Sequence, residues 1–369
     1  MRILYVIHSF FWGGAEKLVY DLASGLRGRV EFVGIVALYR NNDETERIIV
    51  SDLESRNIAT EIVGKGAGRD RLNTIRAIAR FAKQHRVNLI HGHCSVPMLF
   101  AKLAGGILGI PAVCTVHNTK GYSRTREALT GWMAVKYVSI GAAAENYMVT
   151  GLGIPRGKIV RIYNAISTER FQAGRRDGHF WEPYGGRPGE RAVLNVARVH
   201  PWKNQLCLAR AAKLCLDQGC RDLKVYILGA YDENGPVYQE LMEYIRAEKL
   251  EETVIFLGMH KNVADFLTNA DCFVMTSEYE GLSVAFLEAV VNGLPVIATD
   301  LPFVQELNAI SPCSITIARN DSDRLAQILA QRAYARQPAE TVARFREAFS
   351  MRRFVEQHWA LYREVLGEN

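Results

Sequence analysis

The 369-residue sequence has no apolar run of the roughly 18 residues that a membrane span needs, so no crossing helix is expected. Its seven cysteines are odd in number and form no Cys-x-x-Cys, which argues against a disulfide framework or a zinc site. Most have apolar neighbours and read as small buried hydrophobes of a reducing compartment. No Gly-x-Gly-x-x-Gly follows the first apolar run, and no acidic residue stands at the matching distance, which excludes a dinucleotide oxidoreductase. No convincing Asp-x-Asp lies near a predicted strand end, so the expectation is no metal and no cofactor. Low-complexity tracts and short repeats are missing as well. The opening segment lacks the small-residue cleavage site of a secretory signal, since Gly13-Gly14 leads to Glu16 and Lys17; it reads as a strand feeding a helix.

Positive charge is concentrated early. Residues 1–168 hold 22 Lys and Arg against 12 Asp and Glu, while the remainder holds 23 against 27. That asymmetry points to an anionic partner for the first half: a membrane surface, a phosphorylated acceptor or nucleic acid. The helices carry no nucleic-acid motif, and that partner is set aside.

Apolar runs alternate with helical periods through both halves. Ile3–His8, Glu31–Leu38, Leu89–His91, Ala112–His117 and Tyr137–Ser139 read as strands, and Ala15–Leu26, Leu72–His85, Val96–Leu108 and Ala142–Gly151 as helices. A second series has strands at Ala192–Val196, Lys224–Leu228, Val254–Leu257, Cys272–Thr276, Pro295–Ala298 and Ser314–Ile317, with helices between them. Such repeats predict an α/β protein of two Rossmann-like parallel-sheet domains. The expected division is residues 1–173, a Gly/Pro/Arg-rich linker at 174–191, and residues 192–350. A final helix, Met351–Leu366, is expected to return to the first domain on a stripe of Phe354, Trp359, Leu361, Val365 and Leu366.

Four segments could carry chemistry at strand exits. In Ser277-Glu278-Tyr279-Glu280-Gly281-Leu282-Ser283, a helix start would aim the N–H groups of Gly281, Leu282 and Ser283 at a phosphate. Glu288, one helix face on, stands in apolar company and needs a partner: ribose hydroxyls, or a neighbouring N–H or Arg. Arg198 and Lys203 flank Pro201 after the first strand of the second half, where two cations could neutralise a diphosphate or remain a solvated pair. Gly13 and Gly14 let backbone approach a ligand, or serve only the shape of the turn. His117 ends a first-half strand and either faces a crevice or is a hydrogen-bonded structural histidine.

Glu280 and Glu288, with seven residues between them and Gly281 directly after the first, together with Arg198/Lys203 and Gly13-Gly14, resemble the family-4 retaining glycosyltransferases of GT-B fold (glycosyl transferases group 1). The likeness runs across nearly the whole chain, to the closing helix. It implies two domains facing a central cleft, a nucleotide-diphosphate-sugar donor of UDP or GDP type, and transfer to a saccharide or lipid-linked acceptor. By the same resemblance Arg198 and Lys203 hold the donor diphosphate with Gly281, Leu282 and Ser283, and Glu288 holds the ribose. Glu280 contacts the transferred sugar, His117 lies near the reacting centre, and Gly13-Gly14 meets phosphate or acceptor. Retention by front-face attack is favoured over a covalent Glu280 intermediate. Two departures stand out: Asn164-Ala165 replaces an Asn-Gly pair, and Gly229-Ala230-Tyr231 replaces Gly-x-Gly, which weakens donor contacts at 229–231. A non-catalytic sugar-nucleotide scaffold and a sugar-nucleotide epimerase of the same fold remain open.

The acceptor side is read from charge. Arg69, Arg71, Arg76, Arg80, Lys83 and Arg86 lie on and beside one amphipathic helix, and Lys120–Lys136 adds Arg124, Arg126 and Trp132. Such a surface either rests on anionic lipid or is a solvated face. The expectation is a cytoplasmic enzyme of cell-surface polysaccharide or glycolipid synthesis, peripheral on the inner membrane face.

Overall fold

In the computed structural model, which describes residues 1–65, 70–117, 121–166, 176–260 and 262–368, the apolar runs become two separate, all-parallel sheets. The chain divides into two compact units, one made of residues 1–165 with 351–369 and the other of 166–350.

In the first unit the strands are β1 (Arg2–Ile7), β2 (Phe32–Ala37), β3 (Ala59–Ile62), β4 (Leu89–His93), β5 (Ala112–Val116), β6 (Ala134–Ser139) and β7 (Ile159–Arg161). Their order is β3-β2-β1-β4-β5-β6-β7. Helices cover both faces, which is why consecutive residues Ile3 to Val6 are all fully buried and why the strand reads as a continuous apolar run. Strand order reverses between β1 and β4, and the carboxyl ends of those strands are where such a sheet offers a crevice.

In the second unit β8 (Arg191–Val196), β9 (Leu223–Leu228), β10 (Val254–Gly258), β11 (Cys272–Met275), β12 (Val296–Thr299) and β13 (Ile315–Ile317) are ordered β10-β9-β8-β11-β12-β13. Its reversal falls between β8 and β11, the strands that lead into Arg198/Lys203 and Glu280.

The closing helix, Met351–Leu366, packs in the first unit's core as expected. Phe354, Val355, Leu361 and Tyr362 are buried, and Gly25 leaves room for Val355: a Cβ there would stand 2.6 Å from its Cγ2. Trp359, Val365 and Leu366 only line the rim of that core.

The linker expectation is corrected. Gly174 and Arg175 lie outside the described residues, but from Arg176 onward the segment is built onto the second unit. Arg176 reaches the Asn269 carbonyl at 2.9 Å and Asp271 at 2.8 Å, and Trp181 stacks on Tyr226 with centroids 4.0 Å apart. Phe180, Trp181 and Tyr184 gather around Phe266, burial that a solvated linker would not provide. All seven cysteines are free.

Candidate active site

The second unit's site begins where β8 ends. Residues Pro201–Lys203 form a single 3₁₀ turn, with Pro201 supplying a fixed φ at its start, and Asn204 takes the left-handed conformation that releases the helix Gln205–Asp217. The turn is pinned on both sides: the Thr276 hydroxyl donates to the Lys203 carbonyl at 3.1 Å, and the Glu278 N–H to the Trp202 carbonyl at 2.8 Å. Turn and β11 exit are therefore one structure, and it brings Lys203 Nζ onto Glu280 as an ion pair. Ser277 Oγ donates to the same carboxylate at 3.3 Å. Arg198 is exposed beside them. His200 has its pKa lowered by burial first and then by the charges of Arg198 and Lys203, which marks both cations as acting on one locus.

Helix Val284–Val291 starts one residue later than a helix running from Ser283 would. Ser283 is its cap, with Oγ accepting the Phe286 N–H at 3.3 Å, and Gly281 and Leu282 lie in the loop before it. Glu288 sits half-buried on that helix. The sequence reading missed what the β13 exit contributes. Asn320 accepts a hydrogen bond from the Asn204 side chain, and the Arg319 guanidinium lies 5.3 Å over the Tyr279 ring. Only tertiary pairing of β12 with β13 brings that loop here, so no local pattern signalled it.

The first unit's residues occupy a different environment. Gly13 caps the helix Gly14–Leu26 in an extended conformation, and a Cβ there would displace the ends of two side chains, meeting Glu16 Oε2 at 2.5 Å and the Phe11 ring at 2.5 Å. At Gly14 a Cβ would meet nothing. Glu16, in the first helical turn, has its pKa raised by burial, so a carboxyl already stands at the end where a phosphate was expected. Of the two glycines, only Gly14 leaves open space.

His117 follows β5, with its backbone N–H donating to Tyr122 Oη at 3.2 Å; Asn118 lies outside the described residues. Burial pushes its pKa down to about 4, so the ring is neutral at pH 7. Its Nε2 lies 3.0 Å from His93 Nδ1. That partner was missed because β4 was expected to end at His91, whereas it continues to His93. The usable signal was His91-Gly92-His93: two histidines on one face of a strand.

Residues 12–170 match the family model "Glycosyltransferase Family 4", and residues 182–347 match "Glycosyl transferases group 1". The chain is 27% identical over 344 residues to "Putative glycosyltransferase EpsF" of Bacillus subtilis, covering 86% of this chain and 87% of that protein. It is 24% identical over 289 residues to the Escherichia coli UDP-Gal:alpha-D-GlcNAc-diphosphoundecaprenol alpha-1,3-galactosyltransferase, covering 70% and 73%. Among solved structures, a glycosyltransferase from Rickettsia africae ESF-5 superposes with a TM-score of 0.85 at 19% identity, covering 100% of this chain and 99% of that one. Anabaena Alr3699/HepE in complex with UDP superposes at 0.84 with 20% identity, covering 99% and 100%. At those identities the structural likeness is one of fold.

Proposed function

Since this chain belongs to the family-4 glycosyltransferases of GT-B fold, we propose that it takes a sugar from a nucleoside-diphosphate donor, of UDP type in the first instance, and transfers it with retention of configuration. The observation that carries this reading is the Lys203–Glu280 ion pair at the β8/β11 strand-order reversal, beside Arg198. Cleaving a glycosyl–phosphate bond leaves negative charge on the diphosphate. Arg198 and Lys203 receive it, and the loop N–H groups of Gly281 and Leu282 together with Ser283 add uncharged donors. A diphosphate arriving at Lys203 displaces Glu280, whose freed carboxylate then accepts hydrogen bonds from the transferred sugar's hydroxyls. Glu288 accepts from the ribose. His117, as a neutral ring, hydrogen-bonds near the reacting centre without adding charge. The two cations fill the role a metal would play, so EDTA leaves the reaction unaffected.

A saccharide or lipid-linked acceptor is supported by the named substrate of the E. coli relative, and a UDP donor by that name and by the UDP bound to Alr3699/HepE. Contact with an anionic membrane is supported by exposed Arg71, Arg76, Arg80, Lys83 and Arg86, and by Ile107, Leu129 and Trp132, each about 70% exposed. Arg69 and Lys120 lie outside the described residues. Flotation with vesicles of zwitterionic and anionic lipid tests this part; a protein that never floats overturns it. No described helix is long and apolar enough to cross a membrane.

The test of the donor site is a thermal-shift panel of UDP-, GDP- and ADP-sugars without metal, on wild type and Lys203→Ala. One nucleotide class should stabilise the wild type and not the variant. Equal shifts in both proteins would remove Lys203 from the site, and no shift at millimolar ligand would return the reading to a non-catalytic scaffold.

A further inference from the structure

Six polar side chains lie together in the first unit, five of them buried and His117 half-buried. On β4, His91 and His93 share one face; on β5 and just beyond it, Thr115 and His117 do the same; the closing helix lays His358 and Tyr362 over them. His91 is fully used: its Nδ1 is 2.6 Å from Tyr362 Oη and its Nε2 is 2.7 Å from Thr115 Oγ1. His93 is not. Its Nδ1 faces His117 Nε2 at 3.0 Å, while its Nε2 is buried and has no hydrogen-bond partner among the described residues.

Two ring nitrogens at that distance share one proton, and burial keeps both rings neutral. If His117 Nε2 carried it, His93 would have to hold its own proton on Nε2, as a buried N–H with nothing to donate to. If His93 Nδ1 carries it, the unpartnered atom is a bare lone pair. A buried orphan N–H is the rarer and costlier of the two. Turning the ring by 180° is no escape, since it would put Cδ2 where Nδ1 stands and give up the 3.0 Å contact with His117. The strand cannot shift either: a Cβ on Gly92 would stand 2.7 Å from Met98 Cα, so β4 is pressed against the helix Ser95–Leu108.

We infer that His93 is a positioning residue: it donates its Nδ1–H to His117 Nε2 and holds His117 as the Nδ1–H tautomer, so that the ring offers an uncharged N–H donor rather than a lone pair. This rests on His117 acting at the reacting centre. A neutral donor there suits a sugar hydroxyl or a developing negative charge, and it rules His117 out as a base through Nδ1.

Two-bond ¹H–¹⁵N correlation spectra of the uniformly ¹⁵N-labelled protein read the tautomer without any substrate, with His117→Gln assigning the signals. Wild type should show Nδ1 of His117 protonated and Nε2 bare. His93→Asn, whose amide N–H can replace the Nδ1–H, should keep that pattern, and His93→Leu should shift it towards Nε2–H. With the donor identified by the thermal-shift panel, kcat should fall on the order of 10- to 100-fold in His93→Leu at unchanged donor Kd, and recover in His93→Asn. A wild-type Nε2–H tautomer, an unaltered tautomer in His93→Leu, or an Asn variant with the Leu variant's spectrum and rate would overturn the proposal. Should the Leu variant fail to fold, the wild-type and Asn spectra decide. Full turnover by His117→Ala would instead remove His117 from the reaction while leaving the tautomer result standing.

Discussion

At the exits of β8 and β11 the second unit sets a cation and a carboxylate against each other in a half-exposed pair, with a second cation free to solvent alongside. At the exits of β4 and β5 the first unit packs imidazoles so deeply that burial keeps them uncharged. The strand exits of two all-parallel sheets thus frame two opposite electrostatic settings. The second unit holds charge within reach of solvent; the first holds neutral dipoles fixed by packing.

One comparison uses the same chemistry in both settings. Lys102, fully buried, holds both oxygens of Glu127 at 2.7 and 2.8 Å, with Tyr137 Oη donating to that carboxylate at 2.6 Å. Lys102→Met should cost about 3–5 kcal/mol by urea denaturation, because a buried carboxylate loses its cation, whereas Lys203→Met should cost under about 1 kcal/mol. Equal costs would erase the distinction between the settings. In activity the ranking reverses: Lys203→Ala or Arg198→Ala should lower kcat/KM by about 10²–10³, roughly 3–4 kcal/mol, while Lys102→Met, assayed where it stays folded, should approach wild type.

Acid should separate the two units. His117 and His358 each have a folded pKa of about 4 against 6.5 when unfolded. Between those values the unfolded chain binds more protons, so stability is complete above pH 6.5, falls as pH drops, and levels off below 4. Each ring withdraws on the order of 3 kcal/mol across that window. Calorimetry at pH 5 should show the first unit melting ahead of the second, whose described histidines are His179, His200 and His260; a single transition that keeps its midpoint from pH 7 to 5 would contradict this. The smallest effect expected is a gain. Cys94, directly after His93, has φ +69° and ψ 165°, backbone that glycine tolerates and other residues adopt at a cost of about 1–3 kcal/mol. Cys94→Gly should raise stability by about 1 kcal/mol, the gain being trimmed by glycine's greater unfolded freedom; a loss of stability would mean the strain is not there.

Much of the fold was legible because buried parallel strands write themselves as apolar runs. Every strand of the second unit was read within a residue or two, as was the closing helix. What escaped was edge and surface. β3 (Ala-Thr-Glu-Ile) and β7 (Ile-Val-Arg) are short and only half-buried, and helix Glu44–Ser55 buries little beyond Glu46, Ile49 and Leu53, so neither period stands out. In the site, Lys203 and Glu280 were legible because strand exits concentrate function, and their mutual pairing was not, being tertiary. At Gly13 the close packing of Glu16 and the Phe11 ring was not legible either, being a matter of side-chain placement.

The hydroxyls of Tyr5 and Tyr362 lie 3.2 Å apart in space and 357 residues apart along the chain. During synthesis the first unit therefore waits, its core open along the helix Gly14–Leu26 and its histidines uncovered, while residues 166–350 are made. At ~5–20 residues per second that wait lasts on the order of ten to forty seconds, long enough for the second unit to fold first although it is encoded later. A nascent chain of this architecture exposes an unfinished apolar face for that whole interval, so chaperone demand should fall on the half that emerges first from the ribosome.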